Sequence, residues 1–307
     1  MVAGAAARRR AALDWPRPSR RAGPPLRATD ARAVTEETGD PLANARLTGY
    51  TRPGFAAAYH AHRPRPPAAL VPLLLRLAGR SRAALVIDLG SGTGLSTVLW
   101  AEHADRVIGV EPLDEMRGVA ATQAAAATVA YRPGVAQATG LPAGAADIVT
   151  CAQSLHDMEP GGTLAEVSRL LRGGGVFAAY DYDWPPVVDP EAEEAFLAFV
   201  GRVRALRERH GITSAMRQWD KAGHLDRLRA SGRFRYVREL LLHHVEPCSA
   251  ERWVGFALTL GPVIPLLDLG LDDDDLGLPP LREAARRAFG GGARPWHVSY
   301  RVAVGLT

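Results

Sequence analysis

The sequence predicts an α/β protein built on a doubly wound, mostly parallel sheet, with helical insertions late in the chain. Three observations carry this expectation. Between about residues 83 and 183, short apolar runs that end in turn residues alternate with helical stretches. The runs are almost continuously apolar, as in strands covered on both faces. The first of them, "ALVIDLG", opens into "SGTGLST", a glycine-rich turn at the point where ligands meet such sheets.

The elements follow in order. Residues 1–45 are rich in Ala, Arg and Pro without apolar periodicity, and "RPSRRAGPPLRATD" cannot bury enough surface to offset its ordering entropy, so a disordered extension is expected there. Its "ARRRAAL" start lacks the apolar segment of about 7 to 15 residues that a targeting signal needs. A single folded domain is expected over 46–307. "YTRPGFAAAYHAHRP" reads as one or two short helices, and "PPAALVPLLLRLAG" as an amphipathic helix opened by proline and closed by Gly79. "ALVIDLG" and "RVIGVEP" are strands, each followed by a predicted helix, "GLSTVLWAEHA" and "LDEMRGVAATQAAAA". "TVAYRPG", "ADIVTCAQ" and "GVFAAYDYDW" supply further strands, and "GGTLAEVSRLLRGGG" a helix stopped by three glycines. After Asp183, "PEAEEAFLAFVGRVRALRERHG" and "SAMRQWDKAGHLDRLRASG" read as two helices and "RFRYVRELLLHHVEP" as a strand. "SAERWVGFALTLGP" and "LPPLREAARRAFGG" are two more helices before a closing strand, "RPWHVSYRVAVGL". The helices near 185–230 and 249–290 fall between late strands, on the side where such folds build a lid.

Composition narrows the function classes. The net charge is +4, but eight arginines against two aspartates put +6 on residues 1–32, which leaves the rest of the chain at −2. The folded part therefore has no electrostatic claim on nucleic acid. Lys221 is the single lysine among 37 basic residues, a bias that GC-rich bacterial coding explains. No apolar run reaches the roughly 18 residues of a membrane span, since Arg76, Pro262 and Pro265 break the longest ones. Cys151 and Cys248, too few and too far apart for a disulfide framework or a zinc site, suit a reducing cytoplasm.

The chemistry is concentrated in the glycine turn. A nicotinamide or flavin site wants G-x-G-x-x-G, but Leu95 stands where the third glycine of that pattern belongs. The register is instead Asp88-x-Gly90-x-Gly92-x-Gly94, with Glu111 ending the next strand about 20 residues on, placed to accept ribose hydroxyls. In this register, and in the segments "ATGLPAGAADIVTCAQSLHDM" and "EVSRLLRGGGVFAAYDYDW", the chain resembles the class I S-adenosylmethionine-dependent methyltransferases. It is most similar to the small-molecule branch that includes quinone-precursor and trans-aconitate methyltransferases, whose members often begin with a "Y-x-x-x-R-P" element like Tyr59 to Pro64.

The resemblance implies a Rossmann-like sheet of about seven strands, mostly parallel with the last one antiparallel. It implies S-adenosyl-L-methionine as cofactor and transfer of its methyl group to an O, N or C atom of a small-molecule acceptor. Gly90, Gly92 and Gly94 then face the methionine and ribose side, Asp88 the loop and the amino end, Glu111 the ribose, and Pro112 and Leu113 the adenine. Where the family often has an acidic or hydroxyl residue for the adenine amino group, this chain has Val135, so Gln137 or backbone must serve.

His156 and Asp157 follow the fourth strand at the carboxyl edge of the sheet, where a general base would meet an acceptor proton. Their alternative reading is packing against the cofactor. Asp157, Asp181 and Asp183 offer oxygen ligands for magnesium but lack the acid-acid-amide arrangement, and no metal is expected. The pair His243 and His244 alternates faces on a strand and cannot share an ion. Arg63 is placed to meet a cofactor or acceptor carboxylate. Phe196, Phe199, Trp219, Trp253 and Phe256 suggest an apolar acceptor pocket, unless they serve the core. A small-molecule acceptor, no nucleic acid, no membrane, and a monomer or homodimer complete the expectation. Two other readings stay open: a cofactor-bound enzyme of the cyclase kind on the same fold, and a non-catalytic binding protein.

Overall fold

The computed structural model describes residues 40–123, 126–214 and 216–307. Three short helices lead in, α1 (Pro41–Arg46), α2 (Phe55–His62) and α3 (Leu70–Leu77), followed by β1 (Ala83–Leu89) and β2 (Ala104–Val110). Then come α4 (Asp114–Gln123), β3 (Val129–Arg132), β4 (Ala146–Ala152), α5 (Pro160–Leu170) and β5 (Leu171–Tyr182). The last part runs α6 (Pro190–Arg209), α7 (His224–Ala230), β6 (Tyr236–Cys248), α8 (Ala250–Leu258), α9 (Ile264–Asp268), α10 (Asp273–Leu276), α11 (Leu278–Phe289) and β7 (Arg294–Leu306).

The seven strands form one sheet in the order β3-β2-β1-β4-β5-β7-β6. β1 to β5 pair in parallel, and β7 inserts antiparallel between β5 and β6, as expected. The switch in strand order between β1 and β4 places the carboxyl ends of these two strands beside one crevice, the usual ligand position in open sheets. Alternation along the strands divides the core: Val86 belongs to the cluster with α3, α6, α8 and α11, whereas Ile87 and Leu89 belong to the cluster with α5.

Local sequence explains the helix boundaries. Asp189 caps α6 by accepting from the Glu191 and Ala192 N–H groups, with Pro190 at the first position and Arg207 and Arg209 in the last turn. Glu159 caps α5 in the same way through Gly161 and Gly162.

Four expectations need correction. Residues 1–39 of the proposed disordered extension lie outside the described residues, but 41–45 are helical, because Asp40 caps the Leu42 N–H and Pro41 starts α1. "GLSTVLWAEHA" yields only a short 3-10 turn, Thr97–Trp100, since Thr97 donates to the buried Asp88 and Ser96 bonds Tyr180, which draws the segment inward. The glycines after α5 do not end it. Leu171 is already extended, and Gly173–Gly175 lie inside β5 where its register against β4 shifts. "SAMRQWDKAGHLDRLRASG" becomes α-helical only at His224, after a 3-10 turn at Lys221–Gly223, because the Arg217 and Trp219 backbone N–H groups bond to Asn44 of α1 and to His156 rather than to their own segment.

Candidate active site

The glycine turn lies between β1 and the 3-10 turn, with Gly90, Gly92 and Gly94 all at positive φ (65°, 54° and 83°). What excludes a side chain differs along it. A Cβ on Gly90 would lie 2.6 Å from Met158 Cε and 2.7 Å from Ser154 Cβ, and one on Gly94 would strike the Tyr131 hydroxyl. These two glycines are therefore required by the protein's own packing. At Gly92 the nearest heavy atom to a Cβ would be Met116 Cε at 3.5 Å, an ordinary contact, so packing alone does not exclude a side chain there.

Asp88 and Glu111 divide the work of holding this turn. Asp88 is fully buried, and its two carboxylate oxygens accept from Thr97 Oγ1 (2.7 Å) and Thr150 Oγ1 (2.8 Å). Burial pushes its carboxyl up to about 6, against those hydrogen bonds. Glu111 accepts from the Gly92 N–H (3.0 Å) with one oxygen and from the Leu113 N–H (3.0 Å) with the other, so it ties the glycine turn to the turn after β2. Burial raises it to about 7, opposed by the same two N–H groups. Each Glu111 oxygen keeps a second lone pair for a ligand hydroxyl.

Pro112 is half-buried, and Leu113 packs with Ala56 and Met116 under α2. His60 Nδ1 lies 3.1 Å from the Thr93 carbonyl, which fastens α2 over the turn. Gln137, half-buried, stands against the start of α5 near Gly162, and Val135 forms an isolated bridge with Ala138. The Ser91 and Thr93 hydroxyls, on either side of Gly92, are buried without a hydrogen-bond partner. A half-buried glycine whose N–H is held by a carboxylate, flanked in sequence by two buried hydroxyls without partners, fits a nucleoside-containing ligand.

At the carboxyl ends of β4 and β5, His156 lies between two acids, with Nε2 3.4 Å from Asp157 and Nδ1 3.6 Å from Asp181. Burial holds its imidazole below the ordinary value, which favours the neutral ring. Asp181 gathers Lys221 Nζ (2.9 Å) and His224 Nε2 (3.2 Å) as well. Burial alone would raise the Asp181 carboxyl, but His224, Lys221 and His156 outweigh it and keep the carboxylate ionised.

His156, Asp181 and His224 bring three potential ligand atoms within 4.8 Å of one another. The protons are already committed, however. Arg227 Nη1, which can only donate, lies 3.0 Å from His224 Nδ1, so His224 carries its proton on Nε2 toward Asp181, while the Lys221 ammonium supplies the cation. Of the three aspartates weighed as magnesium ligands, Asp157 and Asp181 share His156, Asp157 also meeting Gln218 and Asp181 meeting Lys221 and His224, while Asp183 pairs with Arg301.

Arg63 donates to Tyr182 (2.7 Å) and Thr259 and lies over the Tyr59 ring at 4.6 Å. Of the aromatic residues expected around an acceptor, Phe196, Phe199, Trp253 and Phe256 are core residues at most 2% exposed. They stack on one another because amphipathic helices must fill the space between α6, α8 and the sheet. Trp219 alone stays near the site, its N–H donating to the His156 carbonyl (2.8 Å).

Sequence reasoning passed over Lys221 and His224. One signal was available: in a chain that otherwise uses arginine throughout, the one lysine marks a position where a compact ammonium is wanted.

A family model described as a methyltransferase domain matches residues 87–179, from β1 through the glycine turn, Glu111 and His156 into β5. Over this segment the chain is similar to S-adenosylmethionine-dependent methyltransferases. A structure presented as a candidate type II methyltransferase from Anaeromyxobacter dehalogenans is 27% identical, with a TM-score of 0.54 over 80% of this chain and 97% of that one. An uncharacterized methyltransferase of Mycobacterium tuberculosis is 37% identical over 118 residues, which is 38% of this chain and 46% of the relative. CRG1 of Saccharomyces cerevisiae, named as a probable S-adenosylmethionine-dependent methyltransferase, is 28% identical over 159 residues, 50% of this chain and 54% of its own. The chain thus spans about half the length of these two relatives. The matched segment carries the glycine turn, Glu111 and His156; Asp181, Lys221 and His224 lie beyond it. Among the described residues no helix is long and apolar enough to cross a membrane.

Proposed function

We propose that the protein transfers a methyl group from S-adenosylmethionine to an O, N or C atom of a small-molecule acceptor. The observation that carries this reading is the turn at Gly92, a glycine that packing alone does not require and whose N–H Glu111 holds. When bound, the cofactor supplies an electrophilic methyl on a sulfonium. Glu111 would hold the ribose hydroxyls, Pro112 and Leu113 the adenine, with Gln137 or backbone replacing the missing acceptor at Val135, and Asp88 would keep the turn in shape from behind.

Transfer from a sulfonium needs chiefly in-line positioning of the acceptor. The pair His156 and Asp157 receives the acceptor's proton where one must leave, with the neutral imidazole as the base. The "YHAHRP" element, Tyr59 to Pro64, supports the small-molecule branch, since Tyr59 and Arg63 close over Tyr182 beside this pair.

The test has two parts. Calorimetry with S-adenosylmethionine is expected to show binding that Gly92→Val abolishes in a protein that still melts cooperatively, because a branched side chain would take the space proposed for the cofactor and resists φ near 54°. Production of S-adenosylhomocysteine with a panel of hydroxyl, amine and acid acceptors then reports transfer. Binding without turnover on any acceptor would favour the cyclase-like reading, and no binding would favour the non-catalytic one.

A further inference from the structure

We propose that the outer edge of β6 is the surface through which two copies of this chain associate, strand against strand, about a two-fold axis at Leu241. β6 is the last strand of the sheet and is 13 residues long, and among the described residues it pairs only with β7. Such an edge offers a row of unpaired N–H and C=O groups to another strand, and soluble proteins ordinarily blunt it with charge, proline or a cover. β6 carries such residues in Arg238, Glu239 and Pro247, yet it also leaves large apolar side chains in water. Tyr236, Leu241 and Val245 are 43%, 57% and 54% exposed, three of the large apolar side chains that the described surface leaves in water.

The sequence of the strand commits the surface to a second copy. On one face stand Val237, partly buried against the core, and the exposed Glu239, Leu241, His243 and Val245, an order that is self-complementary when read antiparallel around its centre. Pairing Leu241 with its own copy sets Val237 against Val245 and Glu239 against His243, twice each by symmetry, which is the signature of an isologous contact. On the other face Leu240 meets Leu242 and Arg238 meets His244. The same register places Pro247 opposite Arg235, outside the strand, so the one residue that cannot donate to a ladder falls where the pairing ends.

Neighbours within the chain leave this face usable. Glu239 lies 3.6 Å from Arg301, a long exposed pair, and His243 Nδ1 lies 3.0 Å from Ser299 Oγ, which orients the ring without covering it. Nine paired residues make an interface of roughly 30 Å, shorter than an obligate one, so the dimer is expected to depend on concentration. The inference is independent of the methyltransferase reading.

Sedimentation velocity on the full chain tests it, over about 1 to 100 µM, where a contact of this size should dissociate. The unmodified protein should shift from monomer toward dimer, and Leu241→Arg should stay monomeric with an unchanged melting temperature, its site being exposed. Two substitutions at one position supply the charge test. His243→Glu sets glutamates against Glu239 and should weaken the dimer by about ten-fold or more, whereas His243→Lys should leave it as tight or tighter. A protein monomeric at the highest concentration overturns the proposal. So does a dimer indifferent to Leu241→Arg, or one that responds alike to Glu and Lys at position 243.

Discussion

At the scale of single residues, the two buried acids behind the glycine turn have opposite lessons for stability and binding. Asp88 and Glu111 hold their protons more tightly when folded than when unfolded, with carboxyls raised from 3.8 to about 6 and from 4.5 to about 7. Each therefore adds stability that is complete below its unfolded value and is lost as the pH climbs through its folded value, by about 3 kcal/mol at most per group. In the ligand-free protein, Asp88→Asn removes this loss while keeping a polar group between Thr97 and Thr150. Melting curves should show the variant below the unmodified protein near pH 5 and gaining on it by several degrees toward pH 8; a constant gap would show that Asp88 does not titrate there. For Glu111 the structure adds a role that spacing alone did not reveal, since its carboxylate splints Gly92 to Leu113. Glu111→Ala should weaken S-adenosylmethionine binding by one to two orders of magnitude, from about 1.5 to 3 kcal/mol of lost charge-assisted bonds, and should also loosen the ligand-free turn. Calorimetry paired with melting curves separates the two effects, and unchanged affinity would remove Glu111 from the cofactor site.

At the scale of elements, what was legible from the sequence depended on whether a segment's pattern was satisfied locally. The strands, with their continuous apolar runs, and α6 and α11, with their proline starts, were plain because their own residues decide them. The segment from 213 to 223 was misread because its bonds are non-local. Arg217 N–H donates to Asn44 of α1 (2.8 Å), Gln218 to Asp157 (2.8 Å), Trp219 N–H to His156 (2.8 Å), and Lys221 to Gln153 (2.7 Å) and Asp181. No periodicity encodes such a strap. It lies across the candidate catalytic pair, so its opening would admit an acceptor. Lys221→Met leaves the neighbouring backbone bonds in place but removes the ammonium from Asp181 and Gln153. Amide hydrogen exchange across 216–224 should then speed up by roughly three- to ten-fold, with β1 and β4 unaffected, a modest figure because the lysine is partly in solvent. Equal exchange in the two proteins would mean that the backbone bonds alone hold the strap.

At the scale of the whole molecule, chain order and spatial order diverge at the end, and that divergence decides what the fold can spare. The matched segment at 87–179 supplies four of the parallel strands almost in full and only the end of β1, and its last strand, β5, has its free side closed only by β7. β7 pairs with β5 from Val176↔Leu306 to Tyr182↔Tyr300 and with β6 along all thirteen of its residues. Its side chains reach both layers: Trp296, Val298, Tyr300, Val302 and Val304 belong to the cluster with α6, α8 and α11, and Ala303 to the one with α5. Trp296, Val302 and Val304 are fully buried, so losing those three alone removes on the order of 6 kcal/mol of apolar burial, comparable to the net stability of a domain, before any ladder bond is counted. The family segment therefore cannot stand as a folding unit without the far end of the chain. Ending the protein at residue 293 should leave it without a cooperative melting transition and without cofactor affinity, although every predicted cofactor contact is still encoded. The single change Trp296→Ala should keep the fold but cost about 3 to 5 kcal/mol. Circular dichroism and calorimetry on the two proteins check this; a truncated chain that melts cooperatively and binds S-adenosylmethionine would show that β1 to β5 fold on their own.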